Sequence, residues 1–332
     1  MKNNSIQGLR AYAAALVVAS HTDFLNQGGL AVDFFFCLSG FLAVKPFSEN
    51  DIRFHSWKDI RNYYFKKATA ILPSYWIFLL ILKLLTEEYW FTWESLVRTM
   101  LFIECPGHLW FIQQTAVMYL ITPVLLLLLQ AIKKLVKSNY SNLIQAIVLV
   151  FLSVLCYFYL TSDRFYLLGN GIHMKFFIWA YLIGMAFGLG YKFLLFKNFQ
   201  LNSVFSSILG ILFLVFPVFT SNLFLKFINP AYSEYYIGWA LPWLCVILSG
   251  LFILILTLNE NGLAARILKW KPFIALGSVS YETYILHWYF LSAMSMSVHH
   301  HRNFLLVYIV TICVSFGLRK LVDQLFQIKI RL

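Results

Sequence analysis

The chain is poor in charge. Asp, Glu, Lys and Arg make up 12% of its 332 residues, against roughly 25% in an ordinary soluble domain. Hydrophobic residues make up 61% and aromatic residues 19%. Too few polar side chains remain to cover a water-facing surface, which excludes a soluble globular fold. Acid is the scarcer sign, with 14 Asp and Glu against 26 Lys and Arg and a formal net charge of +12. In a soluble protein that excess would point to nucleic acid. In a chain this apolar it must first be divided between the two sides of a bilayer, and no nucleic-acid partner is expected.

Other absences narrow the chemistry. The five cysteines, Cys37, Cys105, Cys156, Cys245 and Cys313, show no CxxC or Cys/His spacing. That argues against zinc and against a disulfide framework, and leaves small apolar packing residues. No Gly-rich phosphate loop, GxSxG elbow or HExxH pair is present. The apolar runs are continuous rather than alternating, which argues against a β-barrel. No connecting stretch is long enough for a soluble domain, and no internal repeat or low-complexity tail stands out. Arg10, His21 and Asp23 interrupt the first apolar run, so it reads as a retained helix rather than a cleavable signal.

What is present is a series of membrane-length apolar segments. A span needs about 20 mainly apolar residues. Ten candidates fall at 8–25, 30–47, 68–86, 109–132, 142–161, 176–196, 203–221, 239–258, 278–298 and 303–322. The expected fold is an all-α polytopic membrane protein with about ten transmembrane helices, as one domain over 1–332. With both termini cytoplasmic, most of the 26 Lys and Arg residues fall on the inner side, as the positive-inside rule requires.

Ionisable groups inside these runs cost roughly 2.5–3.5 kcal/mol each on insertion scales and are functional candidates by default. The first two spans form a hairpin, with a short turn expected at Gly28-Gly29, and carry Arg10, His21, Asp23 and Asp33. Arg10 and His21 are eleven residues apart, three helical turns plus about 20°, so they share one helix face about 16 Å apart along the axis. Arg10 can snorkel to headgroups and His21 can be a hydrogen-bonded core residue. The sharper reading gives His21 a proton to exchange near neutral pH. Asp33 opens the second span, where the helix dipole favours a carboxylate. Ser39-Gly40 allows close backbone approach. The stretch from Lys45 to Lys67 is basic and contains Arg53, Arg61 and Lys66. It serves the positive-inside signal, a docking surface for a phosphorylated cytoplasmic ligand, or both. Pro73 starts or kinks the third span. His108 and Trp110 open the fourth, with Tyr119 and Pro123 further along. Glu282 and His287 lie together in the ninth. The run His299-His300-His301 reads as an exposed polar turn rather than a metal site. The outer stretches 87–108 and 222–238, rich in acid or in aromatics, read first as interface anchors and alternatively as carbohydrate contacts.

Taken in order, LRAYAAALVVASH, GGLAVDFFFCLSGFL, FKKATAILPSYW, HLWFI with Tyr119 and Pro123, and SYETYILH resemble acyltransferase family 3 of integral membrane proteins, across nearly the whole chain. The resemblance implies transfer of an acyl group, most often acetyl from acetyl-CoA, to a hydroxyl of an extracytoplasmic glycan, in the cytoplasmic membrane and without a metal. It implies catalytic roles for His21, as general base or as a transient acyl relay, and for Asp33 and Glu282, with donor binding by Arg10, Arg61, Lys66, Lys67 and Ser39. His108, Trp110, Tyr119 and His287 fall on the acceptor side. Two positions depart from the family pattern. Two arginines three apart commonly precede the third-span Ile-x-Pro, and here Lys67 and Ala70 stand there. Lys67 keeps a charge without the bidentate fork of arginine, and Lys66, Arg61 or Arg53 is left to compensate. Thr115 replaces a glutamate that many members carry. With no hydrolase-like domain following the tenth span, the pattern points to the single-domain sugar and exopolysaccharide O-acetyltransferases. The rival reading is a transporter or flippase of a glycan or acyl donor. It lacks the paired broken helices expected in two matching halves.

Overall fold

The computed structural model describes residues 4–22, 24–50, 56–85, 91–136, 138, 140–160, 177–229, 241–293 and 304–326. Asp23, Arg53, the Glu87-Glu88 pair, most of 222–238, the His299-His300-His301 run and both termini lie outside them. Every element among the described residues is helical: α1 Asn4–His21, α2 Gly28–Asn50, α3 Trp57–Leu85, α4 Trp93–Met100, a 3-10 turn at Gly107–Leu109, α5 Trp110–Leu135, α6 Ser141–Leu160, α7 Ile178–Phe196, α8 Ser203–Phe219, α9 Asn222–Ile228, α10 Pro242–Leu258, α11 Leu263–Leu268, α12 Lys271–Ser278, α13 Ser280–Ala293 and α14 Phe304–Phe326.

Each of the ten apolar segments corresponds to one of these helices. By length and composition alone, six are long and apolar enough to cross a membrane, or up to seven if the bent pair α8–α9 counts as one span. The six are α2, α3, the 3-10 turn with α5, α6, α7 and α14. The sequence expectation of ten is therefore met as helices but not as spans of full length and apolarity. Helix α10 is apolar but short. The described part of α13 has 14 residues and includes Glu282 and His287.

Helix α1 sits at the centre. Eleven of its 18 residues are buried, most of the rest are half-buried, and several are alanines. A helix buried to this extent must be thin, and small side chains let α2, α12 and α13 pack against it. The closest approach is at its N-terminal half. A Cβ on Gly8 would collide with the carbonyl of Leu268, and one on Gly277 with the carbonyl of Gln7. Arg10 therefore sits on a turn whose backbone is fixed from outside.

Helices α2 and α7 form the most extensive pair. A Cβ on Gly40 would strike the carbonyl of Tyr181, and one on Gly184 the carbonyl of Cys37. The two contacts are reciprocal, one glycine from each helix, and they lock the register of α2.

The turn of the opening hairpin lies at residues 22–27, not at Gly28-Gly29, which form the first turn of α2. Gly28 is needed there because a Cβ would meet the Ser20 hydroxyl at 2.7 Å. The turn residues have a structural task. Helices α8 and α9 meet at 78°, and such a break frees backbone groups that lipid cannot satisfy. Gln27 donates to the Thr220 carbonyl at 2.7 Å, and Asn26 accepts from the Asn222 amide at 2.7 Å. The polar turn between α1 and α2 thus plugs the break.

Helix α3 begins eleven residues before the expected span and runs through Pro73. Lys58, Arg61, Lys66 and Lys67 are therefore on a helix rather than in a loop. The apolar pattern marks only the lipid-facing length, while the charged turns that precede it are also good helix formers.

The α2–α7 contact yields a stability prediction. Gly184→Val should lower the thermal midpoint in detergent and reduce folded yield, with a cost of about 1–3 kcal/mol for overpacking. Gly190→Ala should be tolerated, because nothing lies within 4 Å of its Cβ position. Size-exclusion profiles and melts of the two variants check both.

Candidate active site

Two layers of polar groups lie along α1, about three turns apart. The inner layer surrounds Glu282 of α13, which has no exposed surface. Its Oε1 accepts from the Ser74 hydroxyl of α3 at 2.8 Å and from Arg319 of α14 at 3.3 Å. Arg319 also faces Asp323 one turn on, at 3.3 Å. Arg10 of α1 is within electrostatic reach of Glu282, Tyr119 and Arg319. The hydroxyl of Tyr281 donates to the Ile71 carbonyl at 3.2 Å, tying α13 to α3 beside Ser74. Glu282 Oε2 has no hydrogen-bond partner among the described residues.

Lys67 extends this layer towards α5. Its ammonium lies 4.2 Å from the centre of the Tyr119 ring, a cation–π arrangement that holds the half-buried charge against α5. Lys67 and Tyr119 border a cavity of about 240 Å³ between α3 and α5, whose remaining lining, including Ala68, Ile71, Leu72 and Phe102, is mostly apolar. An apolar cavity with a single cation suits an amphiphilic ligand with one anionic end.

The outer layer is a cluster of rings. His21 ends α1, with its ring centre 5.2 Å from that of His287 and 4.9 Å from Trp288. His108, in the 3-10 turn before α5, lies 5.1 Å from His287. Three histidines from three separate elements thus meet in one place. Carbonyl oxygens only accept, which fixes two tautomers. His287 donates from Nδ1 to the Tyr284 carbonyl, one turn back on its own helix. His108 donates from Nε2 to the Ile285 carbonyl at 3.0 Å. Tyr284 donates its hydroxyl to the His108 carbonyl at 2.7 Å. The lone pairs of His287 Nε2 and His108 Nδ1 remain for other partners, and His287 Nε2 is buried with no partner among the described residues.

Among the described residues no group of three or more His, Cys, Asp or Glu is arranged to hold a metal ion. Cys105 lies just outside this layer, in the loop before the 3-10 turn. Burial, with a smaller push from neighbouring Glu104, raises its thiol to about 12, so it stays protonated near neutral pH and is not a ready nucleophile.

The structure therefore brings together His21, His108 and His287 in one layer, and Arg10, Glu282, Tyr119 and Lys67 in the other. Asp33 is buried on α2, within electrostatic reach of Cys37 and of Cys245 on α10. Trp110 stacks on Phe177 at 5.5 Å and packs near Phe36, with no ring contact to the histidines among the described residues. Ser39 is half-buried on α2, and Arg61 and Lys66 are exposed on the first turns of α3. Sequence reasoning missed Ser74, Arg319, Tyr284 and Trp288. Arg319 was absorbed into the positive-inside count, although Asp323 four residues on was a signal of pairing.

These features define a polytopic helical membrane protein with a buried, charged and histidine-lined centre. The particular family follows from the sequence. Residues 3–320 match the family model described as an acyltransferase domain, and the chain belongs to that family, acyltransferase family 3, as a membrane acyltransferase. No curated protein and no solved structure gives a significant match.

The inner layer predicts an asymmetry between partners. Arg319→Met leaves the Glu282 carboxylate buried with its direct ion pair gone, which should cost about 3–5 kcal/mol. The double variant Arg319→Met/Glu282→Gln removes the charge as well and should recover much of that loss. Thermal melts of the three proteins in one detergent decide it.

Proposed function

We propose that the protein is an O-acetyltransferase of the cytoplasmic membrane, with ten spans and both termini inside. It moves acetyl from cytoplasmic acetyl-CoA to a hydroxyl of a cell-surface or lipid-linked glycan. The observation that carries this reading is the spacing of the two layers. Arg10 and His21 share one face of the central helix about 16 Å apart, a separation comparable to a pantetheine arm. One helix can therefore hold the charged end of the donor at the inner layer and its thioester near the histidines.

The inner layer suits the donor's phosphates. Arg10, Arg319 and Lys67 outnumber the two carboxylates Glu282 and Asp323, so the region carries one surplus positive charge. Exposed Arg61 and Lys66 on α3 add attraction at the cytoplasmic entrance. The cavity beside Lys67 and Tyr119 has room for the apolar part of the donor. Asp33 and Ser39 on α2 support the hairpin that carries His21.

At the outer layer His21 acts as general base. It takes the proton of the acceptor hydroxyl as the oxygen attacks the thioester carbonyl, and the carbon–sulfur bond breaks to release the CoA thiolate. A positioned base contributes roughly 10²–10⁴-fold. His108 and Trp288 form the wall against which the acceptor lies. Aromatic faces of this kind pack against sugar rings, and the His108 lone pair can accept from a sugar hydroxyl.

Two measurements test the reading. His21→Ala should accumulate normally and leave the surface glycan without its acetyl groups by mass spectrometry. Full acetylation in a well-expressed His21→Ala protein sinks the assignment. Arg10→Ala should raise the KM for acetyl-CoA by about ten- to a hundredfold, the loss of one charge-assisted hydrogen bond, and leave kcat within a few-fold. A fall in kcat with an unchanged KM would place Arg10 in the chemistry instead.

A further inference from the structure

The overall reaction moves one proton from the acceptor oxygen to the sulfur of the departing CoA. If His21 takes that proton from the hydroxyl, something must hold it until the thiolate collects it. His287 has the geometry for this. Its side chain has no exposed surface. Its Nδ1–H is committed to the Tyr284 carbonyl, so Nε2 is the ring's only remaining proton acceptor. That nitrogen is buried with no hydrogen-bond partner among the described residues. Outside its own helix, the rings packed against the His287 ring are those of His21 and His108, with centres 5.2 and 5.1 Å away.

A histidine kept only for packing would not be expected to bury a lone pair without a partner, since that costs about what a lost hydrogen bond costs. The Nδ1–H···O=C contact also offsets part of the cost of charging a buried ring. A carbonyl oxygen stabilises the imidazolium that forms when Nε2 gains a proton. No carboxylate has a ring or hydrogen-bond contact with His287 among the described residues, so the proton would be held only in passing.

We propose that His287 is the proton-carrying partner of His21. As the hydroxyl proton moves onto one nitrogen of His21 and the oxygen–carbon bond forms, the other nitrogen of His21 passes its proton to Nε2 of His287. The carbon–sulfur bond breaks, and the thiolate then takes its proton back through the same pair. No proton is gained or lost: the acceptor hydroxyl and acetyl-CoA become the ester and free CoA. The inference rests on His21 being the general base.

The test uses His287→Asn. The Asn amide can donate to the Tyr284 carbonyl much as Nδ1–H does, but it has no basic nitrogen in place of Nε2. The assay is acetyl-CoA turnover by purified protein, with alkali-de-O-acetylated envelope polysaccharide from the producing cells as acceptor. His287→Asn should keep the KM for acetyl-CoA and the detergent melting point, and lose about a hundredfold in kcat. A proton inventory in mixed light and heavy water should be curved for the wild type, with two protons in flight. It should be linear for the residual activity of His287→Asn. His287→Gln provides the same comparison if the Asn variant does not accumulate. A kcat within threefold of wild type, or a loss of kcat with the curved inventory kept, overturns the proposal and leaves His287 a structural residue. His21→Ala is run alongside. If it retains activity, the base assignment itself has failed. If it is inactive while His287→Asn is active, only the relay has failed.

Discussion

A carboxylate with no exposed surface, in a helix packed inside a membrane protein, is the constraint on which much of the inner half depends. Glu282 is tolerable only because α3 brings a hydroxyl, α14 brings a guanidinium and α1 brings a second one near. Each partner comes from a different helix. The ion pair therefore contributes less as stability than as specification: α1, α3, α13 and α14 have one arrangement in which the charge is met. Replacing such a pair by apolar residues is often neutral for stability, so its retention argues for a use. The use proposed here is a surplus of positive charge around a single buried acid, facing the compartment where a phosphorylated donor resides.

The glycines act on the same problem from the backbone side. Helices in lipid gain little from the hydrophobic effect between themselves and associate through close packing. The reciprocal Gly40 and Gly184 contacts bring α2 and α7 into backbone contact, and Gly8 with Gly277 does the same for α1 and α12. The second contact lies one turn or less from Arg10. The polar turn after His21 is fixed in a different way, by plugging the α8–α9 break through Asn26 and Gln27. Helix α1 is therefore held at both ends by features that leave its charged face free of that duty.

Much of the helical plan was legible in the sequence, because apolar runs and basic loops report directly on lipid and on sidedness. The long inner extension of α3 was not, since it contains ordinary helix-forming charged residues that a hydropathy pattern treats as loop. Helix α1 is long enough to span but less apolar than its neighbours, because it carries Arg10 and His21 as well as Asn4 and Gln7; the described part of α13 carries Glu282 and His287. The shared face of Arg10 and His21 could be read from spacing alone. The meeting of His21 with His108 and His287 could not, because those residues are far apart in the chain and no local periodicity links them. Arg319 was hidden by a rule that works: a basic residue at the inner end of a helix has a sufficient explanation already, and nothing local says that it turns inwards.

The two layers also differ in kind, and the difference suits a transfer across the membrane. The inner one is ionic and mostly paired, so its geometry is rigid and its preference is for anions. The outer one is aromatic, and backbone carbonyls set the tautomers of His108 and His287. A carboxylate beside His287 would stabilise the imidazolium and trap a proton that the proposed reaction must hand on. Glu282 lies about one and a half turns from His287 on the same helix, so the ion pair with Arg319 stays apart from the His287 ring. On the proposed function, the separation of charge from proton handling, along α1 and again along α13, would let one bundle hold a phosphorylated donor at the ionic layer and run acid–base chemistry at the histidines.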